Sequence, residues 1–133
     1  MKEVLLVIMI FCHIVDDYYL QGCLANMKQK KWWKQNAPQG LYKYDYIVAL
    51  IVHSFSWAFM ILLPLMIYMF VNNCFSISFY IISLVINIII HAVTDNLKAN
   101  KLTINLITDQ SIHLIQILIS YFIFYKAINE RIG

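Results

Sequence analysis

Ile90-His91-Ala92-Val93-Thr94-Asp95-Asn96-Leu97-Lys98 closes an apolar run too long to be anything but a membrane helix. His91 and Asp95 are four residues apart, so on a helix they share a face with Cβ atoms about 6 Å apart. The same pairing recurs as His13/Asp17 in the first apolar run and, reversed, as Asp109/His113 in the last. His53 lies inside the second run, so all four histidines of the chain sit in apolar surroundings. Ionisable groups inside a bilayer are costly and by default mark a site.

Composition supports the membrane reading. Of 133 residues, 62% are hydrophobic and 13% charged, against about 45–50% and about 25% in soluble domains. The expected fold is all-α, a single membrane domain over 1–133. It is an antiparallel four-transmembrane-helix bundle with spans at about 4–24, 44–71, 76–97 and 103–125. Pro64 should bend the second span. Cys12, Cys23 and Cys74 lack metal-ligand spacing and read as small apolar fillers. Leu20-Gln21-Gly22-Cys23 faintly resembles a lipoprotein cleavage box, but Asp16, Asp17 and Gln21 argue against it.

The polar connection 26–43 carries Lys28, Lys30, Lys31, Lys34 and Lys43 around Trp32 and Trp33. Beside membrane spans this pattern reads as an interfacial anchor on anionic lipid, with no nucleic-acid partner expected. Lys98 and Lys101 fall in the third connection, whereas the opposite side holds Lys2, Lys126 and Arg131. The positive-inside rule therefore puts the 26–43 connection in the cytoplasm and both termini outside, in a multi-pass cell (inner or plasma) membrane protein.

On that topology each histidine lies about 10–16 Å from the cytoplasmic end of its span, and Asp17, Asp95 and Asp109 lie one turn nearer that end. Reversal of the order in the fourth span is what antiparallel packing needs for like residues to meet. Two layers are expected: a ring of four histidines and, about 6 Å closer to the cytoplasm, three aspartates. Asp16 should face away from Asp17, as an interfacial or lumenal residue. Gln21, Asn87, Asn96, Lys98 and Gln110 are polar neighbours on the same faces.

His13, Asp17, His53, His91, Asp95, Asp109 and His113 are thus the candidate ligands of a divalent metal. Imidazole with carboxylate suits zinc first, with manganese, iron or nickel as alternatives. Seven candidates exceed one tetrahedral zinc, so either two metals bind or some aspartates orient histidines from behind. A metal-free His–Asp hydrogen-bond network is the main rival. Bis-histidine haem is disfavoured by the adjacent carboxylates.

The combination His13-Ile-Val-Asp-Asp17-Tyr-Tyr-Leu-Gln21, His53, His91-x3-Asp95-x2-Lys98 and Asp109-Gln110-x2-His113 resembles the small bacterial and phage membrane proteins grouped as domain of unknown function 3307. The resemblance covers nearly the whole chain and implies no activity of its own.

Three function classes follow. The first is a metal-dependent hydrolase acting on a phosphate or acyl ester of a lipid or lipid-linked substrate. In it one aspartate (Asp17 or Asp109) serves as general base and Lys98 neutralises developing negative charge. The second is a divalent-cation or proton transporter, which would need a homodimer to build a pathway. The third is a structural or partner-binding bundle. Ile61, Leu62, Leu63 and Leu65, Ile81, Ile82 and Leu84, and Ile117, Leu118 and Ile119 leave the outer half nearly bare of polar groups. That layout reads as a cup open to one side and ranks the hydrolase first.

Overall fold

The computed structural model describes the backbone of residues 2–132 and the side chains of residues 4–130. Lys2 and Arg131, counted above for orientation, have side chains outside that set. Among the described residues all regular structure is helical: α1 (Lys2–Val15), α2 (Leu24–Met27), α3 (Lys30–Asn36), α4 (Asp45–Val71), α5 (Ile77–Asn96) and α6 (Leu106–Ile132). A π-helical turn over Asp16–Leu20 continues α1, and another over Leu97–Lys101 continues α5.

Three helical stretches, Gly40–Val71, Ile77–Lys101 and Leu106–Glu130, are long and apolar enough to cross a membrane. The first helix differs because its α-helical part has only 14 residues and its π turn brings in Asp16 and Asp17. It ends before Leu24, the expected limit, because Gly22 takes a positive φ of 47° and turns the chain. The last helix runs on past residue 125, the expected limit of the fourth span, to Ile132. Pro64 lies inside α4 without ending it.

Each helix buries one face, and the spacing explains which. On α1 the buried positions are Leu5, Met9, His13 and Asp16; on α6 they include Asp109, His113, Ile117, Tyr121, Phe124 and Ile128. These recur every three or four residues, one stripe per helix. Along each stripe the chemistry changes from polar to apolar. Leu5, Met9, Trp57, Ile61, Leu62, Leu65, Met69, Ile117 and Phe124 form the apolar core.

The opposite faces are also apolar. Ile81, Ile82, Ile89 and Val93 on α5, and Ile115, Ile119, Phe122 and Ile123 on α6, are exposed. Apolar patches on that scale need a non-aqueous neighbour, and lipid provides one. Helices α4 and α5 touch in opposite chain order: Phe70 stacks on Phe75 at 4.1 Å beside their turn, and Trp57 stacks on His91 at 4.2 Å farther along.

Candidate metal centre

All four histidines are buried and meet at one place, although they come from four helices. Their ring centroids lie 5.1 Å (His53–His91), 4.2 Å (His91–His113) and 5.9 Å (His113–His13) apart. Trp57 fills the middle, 4.2 Å from His91, 5.2 Å from His113 and 5.7 Å from His13. It sits one turn beyond His53 on α4.

Trp57 decides the state of His13. The indole Nε1 donates to His13 Nδ1 at 2.7 Å. An indole N–H can only donate, so Nδ1 is an acceptor and the neutral ring carries its proton on Nε2. Neither nitrogen then offers a free lone pair, and the 3.4 Å approach of Asp17 Oδ2 to Nδ1 is not a hydrogen bond of the neutral ring. His13, expected as a ligand, is better described as the partner of Trp57.

His53 is held the opposite way. Gln21 donates its amide nitrogen to Asp16 Oδ2, which turns its oxygen toward His53 Nδ1. An amide oxygen only accepts, so Nδ1 bears the proton and Nε2 presents its lone pair to the centre. Ser56 Oγ also donates to Asp16, at 2.7 Å. Asp16 was expected to face away from Asp17, as an interfacial or lumenal residue, but it is fully buried and orients His53 through Gln21. The buried stripe of α1 steps from His13 to Asp16, three residues on, and the π turn brings Gln21, five residues later, back onto Asp16. Such π turns are frequent at functional sites.

Around His53 Nε2 polar atoms crowd. Asp95 Oδ2 is 2.7 Å away, His91 Nε2 3.1 Å and Asp17 Oδ1 3.8 Å. Asp95 also lies 3.6 Å from His91 Nε2 and, through Oδ1, 3.5 Å from His113 Nε2. His91 can donate to His53 through Nε2, but the Asp95 carboxylate facing the same lone pair needs a donor or a positive charge of its own. Here Lys28 supplies it, its Nζ 2.7 Å from His53 Nε2 and 2.5 Å from Asp95 Oδ2. Lys28 was expected among the interfacial lysines, yet it is buried. Asn100 holds its backbone from both sides: Asn100 Nδ2 donates to Lys28 O at 3.1 Å, and Lys30 N donates to Asn100 Oδ1 at 2.7 Å.

Two groups have geometry that could hold a metal ion, Asp17–His53–His91 and His91–Asp95–His113, each with ligand atoms within 4.8 Å of one another. His91 belongs to both. Asp109 lies outside them: Lys98 donates to its Oδ2, as does Gln110 Nε2 at 3.1 Å. Its Oδ1 stands 3.5 Å from His113 Nε2. His91 Nδ1, both ring nitrogens of His113 and Asp109 Oδ1 are buried without a hydrogen-bond partner. Buried polar atoms left this way are uncommon, and an ion is one of the standard reasons.

Two cavities adjoin the cluster. One, of about 400 Å³, is lined by Asp17, Lys28, Gln29, Lys98, Leu102 and Gln110, among others, and forms the mouth. The other, of about 520 Å³, is a groove between α1 and α6 lined by Ile10, His13, Ile14, Tyr18, Gln110 and Leu114, among others. On the far side of the histidines the polar character does not stop at once. Asn87, Gln116 and Ser120 are buried and bonded together, with Gln116 Nε2 donating to Asn87 Oδ1 at 2.8 Å and Asn87 Nδ2 to Ser120 Oγ at 3.1 Å. The part of the bundle beyond the histidines is therefore less bare than its Ile and Leu content implied. Cys12, Cys23 and Cys74 are unbridged, and Cys23 is exposed rather than a buried filler.

Compared with protein-family models, curated proteins and solved structures, the chain shows no match.

Proposed function

We propose that this is a four-span antiparallel membrane bundle of the domain of unknown function 3307 group, holding a divalent metal in a cup near its cytoplasmic face. We further propose that it hydrolyses a phosphate or acyl ester of a lipid or lipid-linked substrate. One observation carries the metal reading: His53, His91, Asp95 and His113 converge, and His91 Nδ1 and both ring nitrogens of His113 are buried there without a hydrogen-bond partner. Zinc suits that donor set best.

A metal bound there supplies Lewis acidity and a nucleophile at neutral pH. The chain's own residues supply the rest. His53 is pre-oriented by Gln21 and Asp16 with its lone pair inward, a second-layer arrangement that strengthens metal sites. Asp17, at the edge of the cluster and lining the mouth cavity, is placed to accept a proton from an attacking water. Lys98, also on the mouth cavity, is placed to neutralise charge on a leaving oxygen. Asp109 steadies Lys98. The groove between α1 and α6 gives a lipid a sideways approach to Gln110.

Transport is the second reading, favoured by the Asn87–Gln116–Ser120 cluster beyond the histidines. Against it, Trp57, Ile61, Leu62, Leu65 and Met69 continue as fully buried apolar core. The deciding experiment is elemental analysis of purified wild type, His91→Ala and Asp95→Asn, followed by ester hydrolysis and by metal flux into proteoliposomes. Metal in the wild type, lost in both variants, with hydrolysis and no flux, is the expected result. Wild-type protein free of metal after loading would leave a metal-free polar network, with Lys28 and Lys98 neutralising Asp95 and Asp109.

A further inference from the structure

Lys28 and Lys98 have an unusual position. Each ammonium is tied to a carboxylate of the cluster, Lys28 to Asp95 and Lys98 to Asp109, and both side chains line the same mouth cavity. Lys28 is no stray surface residue, because Asn100 grips the backbone at residues 28 and 30 and is itself donating to Asn96 Oδ1 at 3.0 Å. Its ammonium sits where the lone pairs of His53 and the charge of Asp95 converge, which is also where a metal would draw them.

We propose that the mouth cavity is a subsite for a phosphoryl anion, filled after the metal, when Lys28 leaves Asp95 to bind it beside Lys98. The inference rests on the metal reading above and names the ligand chemistry of that same site. A divalent cation on Asp95 takes over the neutralisation that Lys28 now provides. The Lys28 ammonium, released from Asp95, then faces a cavity of about 400 Å³ beside Lys98, which Asp109 holds, and the amides of Gln29 and Gln110, while Asp17 on the same wall belongs to the other metal group. Lysine is suited to the exchange because its stem is flexible and its ammonium is a compact point charge. A phosphoryl group matches two cations better than a neutral acyl ester does, since it carries negative charge and several acceptor oxygens.

Exchange makes metal and phosphate binding mutually favourable, and the coupling must be the same in both directions. It also gives Lys28 opposite effects on the two ligands. In the metal-free protein Lys28 competes with the metal for Asp95 and His53, whereas in the loaded protein it holds phosphate.

The test uses the full chain in neutral detergent, loaded with Zn²⁺ or Mn²⁺, with metal content measured directly and binding of inorganic phosphate and of dodecyl phosphate followed by calorimetry. Phosphate should bind the loaded protein and bind the metal-free protein at least about tenfold more weakly, and Lys98→Gln should weaken it about ten- to a hundredfold with metal content unchanged. Lys28→Gln should weaken phosphate by a similar factor while tightening bare metal. Lys28→Arg, which keeps the charge, should restore phosphate binding and acts as a folding control. Tighter binding of dodecyl phosphate than of phosphate assigns the subsite to a lipid headgroup, with the α1–α6 groove taking the chain; equal binding assigns it to free phosphate. Loaded protein that binds neither anion, or binds them equally well in both glutamine variants, overturns the subsite alone. Lys28→Gln weakening metal and phosphate together would overturn the exchange. Wild type that takes up no metal refutes the metal reading, and the exchange with it.

Discussion

Replacing Asp95 by asparagine tests the centre of the cluster with least change of shape. The carboxylate lies 2.5 Å from Lys28 Nζ and 2.7 Å from His53 Nε2, and its side chain is only 2% exposed. Asp95→Asn leaves the Lys28 ammonium without its partner. Breaking a buried ion pair from one side costs about 3–5 kcal/mol. Lys28 borders an open cavity and can withdraw its head along its stem, so the low end, about 3 kcal/mol, is expected. Lys28→Gln strands Asp95 instead and should cost a similar amount. The double variant removes both charges and should cost less than the two singles together, by about 2 kcal/mol or more. Neutral hydrogen bonds between membrane helices couple by about 0.6 kcal/mol on average and about 1.7 kcal/mol at most. A coupling above that ceiling therefore identifies an ion pair. The measurement is reversible unfolding in mixed micelles with a chelator present, titrated with a denaturing detergent and followed by circular dichroism for all four proteins. Additive costs, with a coupling below about 0.5 kcal/mol, would mean that Lys28 and Asp95 do not meet, and the account of the centre would fail with them.

Other expectations are simpler to check. Trp57→Phe keeps most of the packing but removes the donor to His13 Nδ1; it should cost about 1 kcal/mol for the hydrogen bond plus a fraction for lost volume, and nitrogen NMR should show His13 leaving the Nε2–H form it holds in the wild type. A wild-type ring protonated at Nδ1 would refute the assignment. Gly22→Ala meets nothing closer than the Leu20 carbonyl at 4.0 Å, so its cost is that of the left-handed conformation alone, about 1–2 kcal/mol, read as a lower unfolding midpoint. No loss would mean the turn is not left-handed. Asn87→Leu removes the side-chain amide shared by Gln116 and Ser120, leaving Gln116 only the Asn87 carbonyl, and should cost about 1 kcal/mol in the same unfolding assay without lowering metal content. Lost metal would place Asn87 in the site.

Much was legible from residue order. Apolar runs interrupted by basic connections marked a helical chain with membrane-length segments, because backbone groups in lipid must bond within their own helix and each run must then be long enough to cross. Histidines with carboxylates one turn away marked the cluster, because ionisable groups survive in lipid only where other polar groups meet them. That logic works along one helix at a time. It says which residues share a face and not what comes from elsewhere to cover them. Lys28, Trp57 and Asn100 escaped it for that reason: each acts on a partner at least 25 residues away in the chain. The roles of His13 and Asp16 likewise depended on Trp57, Gln21 and Ser56, since a tautomer is set by the neighbour that donates or accepts, and a π turn shifts helical phase by an amount no fixed spacing contains. The kinds of group that gather were written in the chain. Which nitrogen carries a proton, and which lysine stands in the middle, followed only from packing.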